Sequence, residues 1–102
     1  MKRNTYHLSR SGEIQMFVIL VYDVGVERLE KVLKTCRKYL TWIQNSVFEG
    51  EITEANWIKL KHDLSKIIDR EKDSITFYIL RTTTYMRKET IGAVKGEFTQ
   101  II

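Results

Sequence analysis

A chain of 102 residues, 43% hydrophobic and 29% charged, suits one domain with one core and is too mixed for a disordered or fibrous protein. No apolar run approaches the roughly 20 residues of a bilayer-spanning helix, and the single cysteine, Cys36, excludes an internal disulfide and a cysteine-built metal site. A net charge of +4 is compatible with a polyanionic partner without demanding one.

Residues 1–15 (MKRNTYHLSRSGEIQ) keep no hydrophobic period and precede a second methionine. They read as an extension outside the core, and they hold no apolar stretch of the kind a signal peptide needs. The expected location is the cytoplasm, and residues 16–102 are expected to form a single domain. From Met16 to Tyr22 every residue is apolar, as in a strand covered on both faces. Val26 to Leu40 then places Val26, Leu29, Val32, Leu33, Cys36 and Leu40 on one helical face, with charged residues on the rest. "TWIQNSVFEGEI" reads as two short strands, Thr41–Gln44 and Ser46–Glu51, joined at Asn45. Thr53 is placed to cap a second helix, with Glu54 in its first turn. Trp57, Leu60, Leu64, Ile67 and Ile68 carry that helix to about Asp69. Ser74–Leu80 (SITFYIL) is a further strand, another is expected around Tyr85–Ile91, and Phe98–Ile102 forms an apolar tail.

Strand–helix–strand–strand–helix–strand is the order of an α+β ferredoxin-like domain, with two helices on one face of an antiparallel sheet and here an extra C-terminal strand. Both faces of the first and fourth strands are apolar. The face opposite the helices therefore needs a cover, either the C-terminal segment or a second copy of the chain, and a symmetric homodimer through that face is the expected solution.

One residue in this frame raises a chemical question. Asp23 ends the first strand just before the first helix. It is either the N-cap of that helix or a ligand for a hard cation, and one carboxylate alone serves magnesium poorly. A two-fold axis at the strand end would bring two copies together. Several cations (Arg28, Lys31, Lys34, Arg37 and Lys38 on the first helix; Arg81 and Arg87 near the C-terminus) offer phosphate contacts or simply a solvated surface. Ser46 is placed to bind a phosphate or to end a turn, and Phe48 to fill the core. No nucleophile–histidine arrangement and no glycine-rich phosphate loop is present.

"VYDV" closing the first strand, "KVLKTCRKYL" on the helix, "QNSVFEGEIT" leading into the second helix and "DSITFYIL" at the fourth strand together resemble the second CRISPR-associated (Cas-two) protein family. The resemblance runs from Met16 to Ile102. It implies a ferredoxin-like homodimer acting on nucleic acid, as a magnesium-dependent endonuclease on single-stranded RNA or double-stranded DNA. It also implies a place in spacer acquisition beside the CRISPR-associated integrase. The family's metal-binding aspartate matches Asp23, although Val24, Gly25 and Val26 supply no second carboxylate in the loop. Two alternatives stand beside the endonuclease. One is a non-catalytic DNA-binding scaffold of the integration complex; the other, without the resemblance, is a regulatory module that binds a small metabolite.

Overall fold

The computed structural model describes residues 7–8, 14–82 and 85–94, those at 7, 8, 14, 81, 82 and 85 through their backbone alone. The expectations for the apolar tail, Phe98–Ile102, lie outside the described residues.

The uninterrupted apolar run becomes the central strand, β2 (Ile14–Asp23). Alternation of side chains across a strand sends Met16, Val18 and Leu20 into full burial and leaves Phe17, Ile19 and Val21 half-buried on the other face. A two-residue β1 (His7–Leu8) pairs with its first residues, His7 opposite Gln15 and Leu8 opposite Ile14. The sheet thus reaches into the segment that sequence alone sets outside the core.

Helix α1 (Val26–Arg37) is three residues shorter than its hydrophobic spacing suggests. Lys38 donates to the Thr35 carbonyl, and Tyr39 and Leu40 both donate to that of Cys36, so the chain tightens off the helix while Leu40 still reaches the core. Val26, expected on the buried stripe, is 83% exposed. The stripe centres on Val32 and Cys36, and Val26 lies about 120° of helical rotation from Val32.

β3 (Thr41–Gln44) and β4 (Val47–Thr53) follow as a hairpin, turning at Asn45, whose φ of 45° is left-handed. Thr53 ends β4 and caps α2 (Glu54–Ile67) in the same residue, its hydroxyl accepting from Asn56 N at 3.1 Å. β5 (Ser74–Thr82) and β6 (Tyr85–Gly92) complete the sheet. Its order is β3-β4-β2-β5-β6, with every pairing antiparallel. Strands β2 to β5 with the two helices have the ferredoxin-like arrangement, and β6 is the added strand.

The core lies between the helices and one sheet face. Val32, Cys36, Trp57, Leu60 and Leu64 meet Met16, Val18, Leu20, Phe48, Ile52, Ile75, Phe77 and Ile79 there. The opposite face carries Phe17, Ile19 and Val21 in its middle, with Tyr78 and Leu80 beside them and Glu49 and Glu51 across.

Candidate metal and phosphate site at the end of the central strand

Asp23 is the last residue of β2, paired in register with Ser74, and its side chain is exposed. It does not cap α1. The N-cap is Gly25, extended at φ −61° and ψ 146°, and it makes no side-chain cap bond. Of the two roles open to Asp23 in the sequence, the helix cap is therefore removed by the position of the helix start. Two residues, Val24 and Gly25, make the whole connection from strand to helix.

Below this turn sits a carboxylate that the sequence does not single out. Asp73 is completely buried and accepts four hydrogen bonds. Gly25 N donates at 2.9 Å, Arg28 donates through Nε at 2.5 Å and Nη2 at 2.9 Å, and Asp69 N donates at 2.8 Å. The two-pronged guanidinium bond is the largest influence on its acidity and holds it well below the usual carboxylate range. Burial opposes this, and the Asp69 and Gly25 amides add to it. The same pairing raises the Arg28 pKa. Arg28 also reaches Glu27 with Nη1, at 3.3 Å. The sequence offered Arg28 as a phosphate contact. In the fold its charge is committed to Asp73, so it is not a free surface cation.

The other candidates separate into near and far. Ser46, half-buried in the β3–β4 turn, accepts from Tyr22 N through its carbonyl at 3.0 Å, one residue from Asp23. Tyr22 Oη and Trp42 Nε1 both donate to the Asn45 carbonyl, each at 3.0 Å, which ties the hairpin tip to the Asp23 end of the sheet. Lys31 and Arg37 are exposed along α1. Arg87 lies opposite Ile79, five residues along β5 from Ser74, about 17 Å at strand rise. It faces α2, its guanidinium 5.4 Å from the Trp57 ring and 3.9 Å from Glu89. Arg87 thus stands apart from Asp23. The backbone of Arg81 is in β5, and its side chain lies outside the described residues.

Phe48 is fully buried, a core residue. Cys36 is buried too, and burial pushes its thiol up to about 12, which rules out a nucleophilic thiolate near neutral pH. Among the described residues no group of three His, Cys, Asp or Glu side chains is placed to hold a metal ion. A cation at Asp23 accordingly needs further oxygens from water, from a phosphate or from a second chain. That donor set fits magnesium, which is commonly held by one or two carboxylates together with waters and phosphates.

The described residues form a ferredoxin-like domain whose central strand ends in an exposed aspartate over a two-residue turn. This chain belongs to the family described as CRISPR associated protein Cas2, whose sequence model matches residues 16–88. The CRISPR-associated endoribonuclease Cas2 of Dictyoglomus turgidum is 54% identical over 87 residues, covering 85% of this chain and all of that relative. The protein of the same description from Thermotoga maritima is 48% identical over 82 residues, covering 80% of this chain and 94% of that one. A crystal structure described as cas2 superposes with a TM-score of 0.65 at 39% identity, covering 86% of this chain and 94% of the other. Streptococcus pyogenes Cas2 at pH 6.5 gives a TM-score of 0.59 at 45% identity over 64% of this chain and 86% of the other.

Proposed function

We propose that this protein is a magnesium-dependent phosphodiesterase of CRISPR spacer acquisition, working in the cytoplasm on single-stranded RNA or double-stranded DNA. The relatives' description as endoribonucleases supports the nuclease reading. The observation that carries the site is Asp23: an exposed carboxylate at the end of the central strand, with Gly25 in the N-cap position of the helix. Two copies joined through the face of Phe17, Ile19, Val21, Tyr78 and Leu80 would cover those half-buried side chains and bring two Asp23 carboxylates toward one ion. Magnesium, when bound, polarises a phosphate and makes its water a better nucleophile. Asp23 holds the ion, and the turn at Ser46 borders the space beside it.

A second reading rests on α1 and its C-cap, where Lys31, Lys34, Arg37 and Lys38 are exposed. In it the dimer holds duplex DNA without cutting and docks the CRISPR-associated integrase. Both readings are tested with purified protein, RNA and duplex DNA, with and without magnesium, comparing the parent with Asp23→Asn. Cleavage by the parent and its loss in the folded variant supports the enzyme. Equal cleavage by both removes Asp23 as the ligand. Salt-sensitive duplex binding without cleavage by either favours the scaffold. Light scattering at micromolar concentration tests the dimer, and a stable monomer refutes it.

A further inference from the structure

Asp73 occupies an unusual place relative to Asp23. The two belong to facing strands at the same end of the sheet: Asp23 pairs with Ser74, the residue that follows Asp73. The Asp73 carboxylate then reaches past that pair to the amide of Gly25, two residues beyond Asp23. Asp23 is therefore bracketed, by the β2–β5 ladder on one side and by the Gly25–Asp73 bond on the other. Only Val24 separates Asp23 from Gly25.

The carboxylate is itself immobilised from every direction. Arg28, one turn into α1, grips both oxygens, and Asp69 N holds it from the α2–β5 connection. The main chain of Asp73 is tied to the neighbouring strand, its carbonyl accepting from Ala93 N at 2.8 Å. α1 and the α2–β5 connection thus converge on one buried anion, while the residue just past β6 holds its main chain. That anion's remaining contact is the amide of the turn that presents Asp23. A neutral core residue would fill the space as well, but it would leave the Gly25 amide and the Nε and Nη2 of Arg28 without their acceptor.

We propose that Asp73, clamped by Arg28, is a positioning residue that fixes the direction in which Asp23 points its carboxylate at the metal. This rests on the reading of Asp23 as a metal ligand. A site that takes few ligands from each chain tolerates little error in any of them, because every remaining bond must come from water, phosphate or the other copy. The clamp supplies that order from the backbone side. Groups hydrogen-bonded directly to a metal ligand typically change metal affinity or activity by about 10–100-fold when removed, and a clamp acting through the backbone of the adjoining turn should fall toward the lower end of that range.

The test uses manganese as a paramagnetic probe on the full chain, read by the broadening of backbone amide signals, with magnesium-dependent cleavage measured in parallel. In the parent, broadening should centre on Asp23 and Val24 and saturate with manganese. Arg28→Lys keeps the positive charge but loses the two-pronged grip, and Asp73→Asn keeps the shape but loses the anion. Each should weaken manganese binding about tenfold or more and raise the magnesium needed for half-maximal cleavage in parallel. Thr53→Ala, which loosens α2 at its far start, is the control: it lowers stability but should leave metal affinity unchanged. If Asp73→Asn does not fold, Arg28→Lys carries the comparison. Broadening at Asp23 in the parent with unaltered affinity in folded Arg28→Lys overturns the positioning role while leaving Asp23 as the ligand. Absence of broadening near Asp23 in the parent overturns the ligand reading, and the positioning role falls with it.

Discussion

Gly92 is where the fold is least forgiving of one added methyl group. It ends β6 opposite Ser74, at φ +96°, a backbone region that side chains other than glycine rarely adopt. A Cβ built there would lie well inside van der Waals contact distance of the Asp73 carbonyl oxygen, with Asp73 C and Ser74 Cα each at 3.1 Å. These are backbone atoms, so no side chain can swing aside. Gly92→Ala must hold a strained φ, costing about 1–3 kcal/mol, and must also move the end of β6 outward to relieve the clash. β6 is an edge strand, so outward movement is open to it, but that breaks the Ala93 N to Asp73 O bond, for about 1 kcal/mol more. The expected loss is about 2–4 kcal/mol in total, or a fall of roughly 1–2 M in the urea midpoint at the usual denaturant slopes for small domains. Urea unfolding followed by circular dichroism measures it. Ile58→Ala, at an exposed position on α2, is the control and should change stability by less than about 0.5 kcal/mol. A Gly92→Ala midpoint indistinguishable from the parent's would show that neither the positive φ nor the close approach to Asp73 constrains the fold.

Three further outcomes follow from the same geometry. The Asp73 carboxylate is more acidic folded than unfolded, so its stabilisation is complete above the ordinary aspartate value of about 3.9 and drains away as pH falls below it. Urea midpoints between pH 6 and pH 2.5 should drop steeply in the parent and more shallowly in Asp73→Asn, and parallel curves would refute the linkage. With its thiol pushed up to about 12 by burial, Cys36 should resist a thiol reagent at pH 8 in the native protein and react at once in urea. Fast native labelling would place it at the surface. Thr53→Ala removes the hydroxyl that accepts from Asn56 N and should cost about 1 kcal/mol, read as a lower urea midpoint with an unchanged slope.

The parts of the fold that were legible in the sequence are those governed by local periodicity. The apolar run at Met16–Tyr22, the Thr53 cap and the stripe of Trp57, Leu60 and Leu64 each act over a few residues, and each has its expected place. The family resemblance is likewise written in short motifs, and the sequence model and relatives place the chain in that family. The end of α1 was not legible, because the tightening onto Cys36 and Thr35 is backbone bonding that spacing does not encode. The clamp below Asp23 was hidden for another reason. Arg28 on a charged helix face reads as a phosphate contact or a solvated cation, and no periodicity singles out Asp73. Their pairing spans 45 positions and exists only once β2 lies beside β5. The sole hint was that Asp73 opens the motif "DSITFYIL", whose other members are strand residues.

The junction of β4 and α2 has a mechanical consequence. Thr53 is both the last strand residue and the helix cap, so no free length of chain lies between sheet and helix. Rotating α2 as a rigid lever would unzip the cap or drag Ile52 out of line with Met16, its partner on β2. This elbow is welded. α2 therefore cannot swing independently of its sheet, and any larger rearrangement has to carry sheet and helix together as one piece.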